Sequence, residues 1–318
     1  MAARELIRPA KLKPGDTICV LAPASVVSDM DSLEKGKRLL EERGYRVVEG
    51  VHARDGRLLF AGEDADRADD LNRAFADHEI DAIICAQGGA GTARMLPYID
   101  FGIIARNPKI FVGYSDVTVL QIAMLQKCGL ATFYGPMVAT DIGRAFTSFT
   151  DKHFFQLLTT SEENAEVRNR PGKKMVTLFP GEAHGQLVGG CLSLFVSTLG
   201  TEWEVDTRDK ILFFEDIDER PHRVDRYLTQ LLLAHKLQTA SAIIFGAFTR
   251  CEYKKRQGQA VPSVRTLDII RDRVIPLQKP SLYGLQFGHV RDKLTLPHGG
   301  YAFLDATHQR LLVEPAVR

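Results

Sequence analysis

No apolar stretch in this 318-residue chain approaches the ~20 residues needed to cross a bilayer, so no membrane span is expected. Neither sign of charge dominates. Lys and Arg number 41 against 40 Asp and Glu, which leaves no broad field to attract nucleic acid or an anionic membrane. No basic cluster is interleaved with aromatic residues, and a nucleic-acid partner is not expected. There is no His-Glu-x-x-His, no Cys-x-x-Cys and no close His/Asp cluster, so neither a zinc site nor another cofactor is expected. Cysteine is sparse: Cys19, Cys85, Cys128, Cys191 and Cys251 are scattered and odd in number. They read as reduced core thiols of a cytoplasmic protein, not as a disulfide framework. The opening stretch Met1 to Pro9 carries charges but no apolar core, so no signal peptide is expected. Repeats and low-complexity segments are missing as well.

What remains is an ordinary globular composition, 45% hydrophobic and 25% charged, long enough for two domains. Continuous apolar runs at Thr17 to Ala22, Ile80 to Ala86 and Lys109 to Val112 suit strands buried on both faces. A shorter strand is expected at Tyr45 to Val48. Between these runs lie helical patterns at Asp31 to Arg43 and around Ala65 to Phe75, which implies βαβ units and a parallel sheet. Ligands of such sheets bind beyond the carboxyl ends of the strands. Residues 1–160 are taken as an N-terminal α/β domain, the polar stretch 161–184 as a linker region, and 185–318 as a second domain. In the latter, Gly185 to Gly190 is expected to open a helix reaching about Leu199. Strands are expected at Lys210 to Asp216 and Ala242 to Phe248, an amphipathic helix at Arg223 to His235, and short strands from Ser281 onward.

One octapeptide, Phe111 to Thr118, passes from an apolar strand through Gly113-Tyr114-Ser115-Asp116 into a helix. A sharp strand-to-helix turn at Gly-x-Ser exposes a serine hydroxyl above a sheet, beside outward-pointing N–H groups. The second glycine of Gly-x-Ser-x-Gly is Val117 here, and on these eight residues alone a simple helix cap at Ser115 or Asp116 is the commoner outcome. A nucleophilic serine needs a base and an acid that orients the base. Among nine histidines, His289 follows Gly288 in a tight loop, whereas His222, His235 and His308 sit in charged surface contexts. Glu215 ends the apolar strand Ile211 to Phe214, where a carboxylate needs a partner. The order Ser115, Glu215, His289 is the nucleophile–acid–base order of α/β-hydrolases. The loop Gly88-Gly89-Ala90-Gly91 also ends a strand, but without P-loop or dinucleotide-binding spacing. Cys191 reads as a buried structural thiol more readily than as an activated one.

Taken in order, these stretches resemble the LD-carboxypeptidase family of serine peptidases, which includes muramoyltetrapeptide carboxypeptidases and microcin C self-immunity peptidases. The matching residues include Ala22-Pro23-Ala24-Ser25, Phe60-Ala61-Gly62, Gly88 to Gly91, Gly113 to Thr118, and Tyr134-Gly135-Pro136-Met137. They continue with Gly189-Gly190-Cys191-Leu192-Ser193, Leu212 to Asp216, Gly284 to His289 and Leu296-Pro297-His298-Gly299. The resemblance implies a flavodoxin-like parallel-sheet α/β/α domain and a smaller C-terminal β-rich domain of swivelling β/β/α type. It implies a nucleophile at Ser115, a charge-relay acid at Glu215 and a base at His289, assembled across the interface. Oxyanion donors would be backbone N–H groups of Asp116 and of the Gly88-Gly89 turn. It further implies a homodimer that releases terminal D-alanine from muropeptide tetrapeptides by cutting an L,D peptide bond. The alternatives are a microcin C-type peptidyl-nucleotide amide hydrolase and a catalytically silent muropeptide-binding protein. The family's usual Arg-Gly-Gly-Tyr-Gly is Gln87-Gly88-Gly89-Ala90-Gly91 here, and its Gly-Gly-Asn is Gly-Gly-Cys191. A cation in the cleft is expected to bind the substrate's free carboxylate, and the sequence does not say which.

Overall fold

The computed structural model describes residues 5–253 and 264–318. Residues 1–4 of the stretch read as having no signal peptide lie outside the described residues. The N-terminal half forms a parallel sheet from β1 (Thr17–Leu21), β2 (Arg46–Glu49), β3 (Ala82–Cys85), β4 (Ile110–Gly113) and β5 (Thr132–Tyr134). Their order, β2-β1-β3-β4-β5, is that of a flavodoxin-like sheet. The reason for the unbroken apolar runs is visible in the packing. Ile18 and Val20 enter one core while Cys19 and Leu21 enter another, and β3 and β4 alternate the same way. Each such fully buried aliphatic side chain contributes about 1.5–3 kcal/mol. Edge strand β2, by contrast, is exposed or half-buried along its length.

Helices Met30–Glu41, Asp64–Ala76 and Thr118–Cys128 connect the parallel strands. The side chain of Asp29 caps the first of them by accepting from the Ser32 N–H at 2.9 Å. Because β1 is followed by β2 on one side and neighbours β3 on the other, the loops leaving β1 and β3 diverge and open a crevice.

The second sheet has eight strands in the order β6-β14-β13-β8-β9-β10-β11-β7. These are β6 (Ala165–Val167), β7 (Val176–Phe179), β8 (Glu182–Cys191), β9 (Lys210–Ile217), β10 (Ala242–Thr249), β11 (Ser281–Tyr283), β13 (Tyr301–Asp305) and β14 (Arg310–Val313). The remaining strand, β12 (Leu296–His298), leaves this half and pairs antiparallel with β5 in the first sheet. Residues of both sheets share one core, in which Leu21, Cys85 and Phe111 join Phe213, Ile244 and Leu304.

Three expectations change. Residues 161–184 are more than a linker, since they carry β6, β7 and the start of β8. Both β6 and β7 lie at sheet edges, where strands are often short, and three or four residues are too few to show a period. Gly185 to Gly190 is strand, not helix; the helix is confined to Leu192–Ser197. Gly189 is there because β9 lies so close that a Cβ would fall 1.8 Å from the Phe213 carbonyl oxygen, and Gly190 because a Cβ would fall 2.6 Å from the Thr118 side chain. The C-terminal half is also not confined to the second sheet. Besides β12, Ala316 and Val317 pack into the core beside Leu12 and Phe154.

Candidate active site

Three strand ends of the first sheet converge on the crevice. Ser25, beyond β1, accepts from the Ala90 N–H through its hydroxyl at 3.0 Å and donates its own N–H to the Gly88 carbonyl at 3.3 Å. Gln87 reinforces this stitching. Its Nε2 donates to the Val26 carbonyl (2.6 Å), and its Oε1 accepts from the Ser28 N–H (3.2 Å) and hydroxyl (3.3 Å). The residue standing where the family has arginine is thus a latch between two loops. Arg67, almost fully buried, donates to the Pro23 carbonyl at 2.6 Å and the Gly91 carbonyl at 3.1 Å, tying the same loops from below.

Beyond β4 the chain turns at once into the short helical segment Ser115–Val117 and then the helix from Thr118. Ser115 has φ +63°, a left-handed conformation that costs a non-glycine residue about 1–2 kcal/mol. Such strain at one serine heading a helix is the mark of a turn shaped to present a side chain. Its Cβ and hydroxyl lie against Gly88, where an added Cβ would come within 3.0 and 3.2 Å of them. The Asp116 side chain faces inward, accepting from the Thr92 N–H at 2.8 Å; burial first of all pushes its pKa up.

From the second sheet, β9 brings Glu215 and Asp216 to the same level on opposite faces, as strand periodicity requires. Asp216 points away from Ser115 toward the helix Leu192–Ser197, accepts from the Ser193 N–H at 2.8 Å, and is pushed up to about 6 mainly by burial. Glu215 points toward the crevice and is 0% exposed. Its Oε2 accepts from His289 twice, from Nδ1 at 2.8 Å and from the backbone N–H at 3.1 Å. Its Oε1 accepts from the Tyr134 hydroxyl at 2.6 Å, and that hydroxyl accepts in turn from the Ser115 N–H at 3.2 Å. Burial, and then the charge of Glu215, raise the Tyr134 pKa well above its ordinary value, so the phenol stays a donor. Both oxygens of the buried carboxylate are therefore hydrogen-bonded, as an unpaired buried charge would be costly.

Gly288 makes this geometry possible. It has φ +91°, and a Cβ there would fall 2.1 Å from Glu215 Oε2. We expect Gly288→Ala to lower stability by roughly 1–3 kcal/mol through overpacking and to push the imidazole off the carboxylate. Thermal melting together with turnover checks this; a variant with wild-type turnover would show that the close approach does not set the His289 position.

Ser115, Gly88, Gly89 and His289 line one cavity of about 330 Å³. Tyr114, Met137, Thr140 and Arg144 form its further wall. Among the described residues lining it, Arg144 is the one permanent cation, 3.4 Å from Asp29. Asp29 is held below the usual carboxylate range, chiefly by the Ser32 N–H. The structure thus gathers Ser115, Glu215, His289, Gly88 and Gly89 at one place, with Asp116 immediately behind Ser115. Sequence reading assigned no role to Tyr134 or Arg144. Tyr134 was marked only by its place in the matching stretch Tyr134-Gly135-Pro136-Met137. Nothing local marked Arg144. Cys191 is buried, and burial drives its thiol pKa well up, which fits an inert core thiol. Among the described residues no group of three or more His, Cys, Asp or Glu is placed to hold a metal ion. No helix among them is long and apolar enough to cross a membrane.

A parallel α/β sheet with a serine turn at a strand end, joined to a second sheet that supplies a carboxylate–imidazole pair, defines a class that comparison with known proteins makes specific. Family models for the LD-carboxypeptidase N-terminal and C-terminal domains match residues 18–135 and 184–304. The chain belongs to the LD-carboxypeptidase family. It is similar to a probable murein peptide carboxypeptidase of Bacillus subtilis, with 40% identity over 98% of this chain and 95% of that one. A murein tetrapeptide carboxypeptidase of Pseudomonas aeruginosa is 29% identical over 92% of this chain and 94% of its own. Among solved structures, muramoyltetrapeptide carboxypeptidase from Oxalobacter formigenes superposes with a TM-score of 0.79 at 33% identity, covering 93% of this chain and 97% of that one. The microcin C7 self-immunity protein MccF superposes with a TM-score of 0.90 at 26% identity, covering 98% and 100%.

Proposed function

We propose that this protein is a serine carboxypeptidase that hydrolyses the L,D peptide bond of muropeptide tetrapeptides and releases the terminal D-alanine. The observation that carries the reading is the buried Glu215–His289 pair opening on the cavity that holds the strained Ser115. Glu215 fixes the imidazole through Nδ1, which leaves Nε2 to take the Ser115 proton as the hydroxyl attacks the carbonyl carbon. Backbone N–H groups at Gly88, Gly89 and Asp116 receive the oxyanion. His289 then protonates the leaving D-alanine amine, and water activated by the same imidazole hydrolyses the acyl-enzyme. Relatives named for murein peptides, at up to 40% identity over nearly the whole chain, favour this substrate over a peptidyl-nucleotide. Buried cysteines that are scattered and odd in number suit a reducing cytoplasm, and a homodimer is the assembly we expect there.

Arg144 is the cation we assign to the substrate's free carboxylate, with Asp29 holding the guanidinium in the cavity wall. Purified protein incubated with a muropeptide tetrapeptide should yield free D-alanine and the tripeptide by mass spectrometry. Unchanged tetrapeptide would refute the function. For Arg144→Gln we expect KM to rise about ten- to a hundred-fold, the ~1.5–3 kcal/mol of a charge-assisted hydrogen bond. The wild type should prefer the free acid to a C-terminally amidated tetrapeptide, and the variant should not. A variant that keeps the preference would move the carboxylate elsewhere.

A further inference from the structure

The proposed catalytic groups come from two sheets: Ser115 from the end of β4, Glu215 and His289 from β9 and the loop after β11. Their alignment depends on how the His289 loop is fastened to the first sheet. That loop runs on to β12, and four residues beyond His289 it buries Lys293 with its side chain only 2% exposed. The ammonium is ion-paired with Asp141 and stands 3.9 Å over the centre of the Tyr114 ring. Asp141 also accepts from the Tyr114 hydroxyl (3.3 Å) and the Met137 N–H (2.9 Å). It sits in a π-type turn, Val138–Ile142, where the Ile142 N–H reaches back five residues to the Met137 carbonyl at 3.0 Å. Such turns concentrate at functional sites. Tyr114 immediately precedes Ser115, and its ring meets the His289 ring edge-on at 5.0 Å. A further bond, from the Lys293 N–H to the Thr150 hydroxyl at 3.0 Å, pins the same loop to the first half.

A buried ion pair is a weak source of net stability, because desolvation offsets its attraction, but it is directional. We propose that Lys293 and Asp141 are positioning residues that clamp the His289 loop onto Tyr114 and so set the imidazole relative to the Ser115 hydroxyl. The proposal rests on the reading of Ser115 and His289 as nucleophile and base. Neither Lys293 nor Asp141 lines the cavity, so the clamp reaches the substrate only through Tyr114 and the turn that carries Met137, and its main effect is on alignment.

The test measures kcat and KM for tetrapeptide hydrolysis, with competent sites counted by titration with a serine-reactive fluorophosphonate. We expect Lys293→Met to lower kcat per competent site about ten- to a hundred-fold with KM within about three-fold of wild type, the range seen for ångström-scale misplacement. Lys293→Arg should recover most of it. The charge-free pair Asp141→Asn with Lys293→Met should melt like wild type yet keep the kcat deficit, and it decides the matter if the single variant does not fold. Overturning results are a kcat within three-fold of wild type in Lys293→Met, or a deficit that disappears in the charge-free pair. Ser115→Ala and His289→Ala run alongside. If they too retain turnover, the proposed function falls with the clamp; if they are inactive while Lys293→Met is not, the clamp alone fails.

Discussion

Replacing Ser115 by alanine is expected to lower D-alanine release by about 10⁴-fold or more and to abolish labelling by a fluorophosphonate. The size follows from the way such groups act as a unit: with no hydroxyl, the Glu215–His289 pair has no proton to take, and only the oxyanion donors and binding remain. The substitution is mild for the fold. Alanine keeps the left-handed backbone of residue 115 with the same strain, and the Ser115 N–H still donates to Tyr134. A melting temperature near wild type would therefore accompany the loss, which separates removal of a nucleophile from loss of structure. Turnover within tenfold of wild type in Ser115→Ala would place the chemistry on another residue.

The second large effect belongs to Glu215. For Glu215→Gln we expect kcat to fall by roughly 10³- to 10⁴-fold, because the neutral amide no longer stabilises the imidazolium and can fix the wrong tautomer. Stability should fall by a smaller amount, about 1–3 kcal/mol: the amide oxygen can still accept from His289 Nδ1 and its backbone N–H, but the amide N–H₂ then faces the buried Tyr134 hydroxyl, whose proton loses its acceptor. Asp216→Asn is the matched control, one residue away on the opposite face of β9, bonded to Ser193 instead. It should leave kcat within a few-fold. Equal losses in the two variants would mean that β9 matters as a strand and that Glu215 has no special role.

Much of this could be read from residue order. β1, β3 and β4 were legible because both of their faces are buried, which writes an uninterrupted apolar run into the chain. Ser115 and His289 stood out because a glycine shortly precedes each of them after an apolar run, and Glu215 because it is a carboxylate in an apolar strand. The strand at Gly185 to Gly190 was not, since glycine selected for backbone contact with β9 carries no strand signature of its own. Edge strands β6 and β7 were hidden because they are only three and four residues long and sit in a charged stretch. Least legible were groups whose meaning lies in a distant partner. Lys293 and Asp141 are 152 residues apart, and Tyr134 and Glu215 are 81 apart. No local pattern announces such pairs, because chain topology alone brings them together.

The central claim is that an acyl group passes through Ser115. Mixing the protein with excess tetrapeptide, quenching in acid within milliseconds and weighing the intact chain tests this most directly. We expect a transient adduct equal to the tripeptide less one water, mapping to the peptide that contains Ser115, with free D-alanine formed in equal amount. D-alanine release with no adduct at any time, and undiminished in Ser115→Ala, would contradict it.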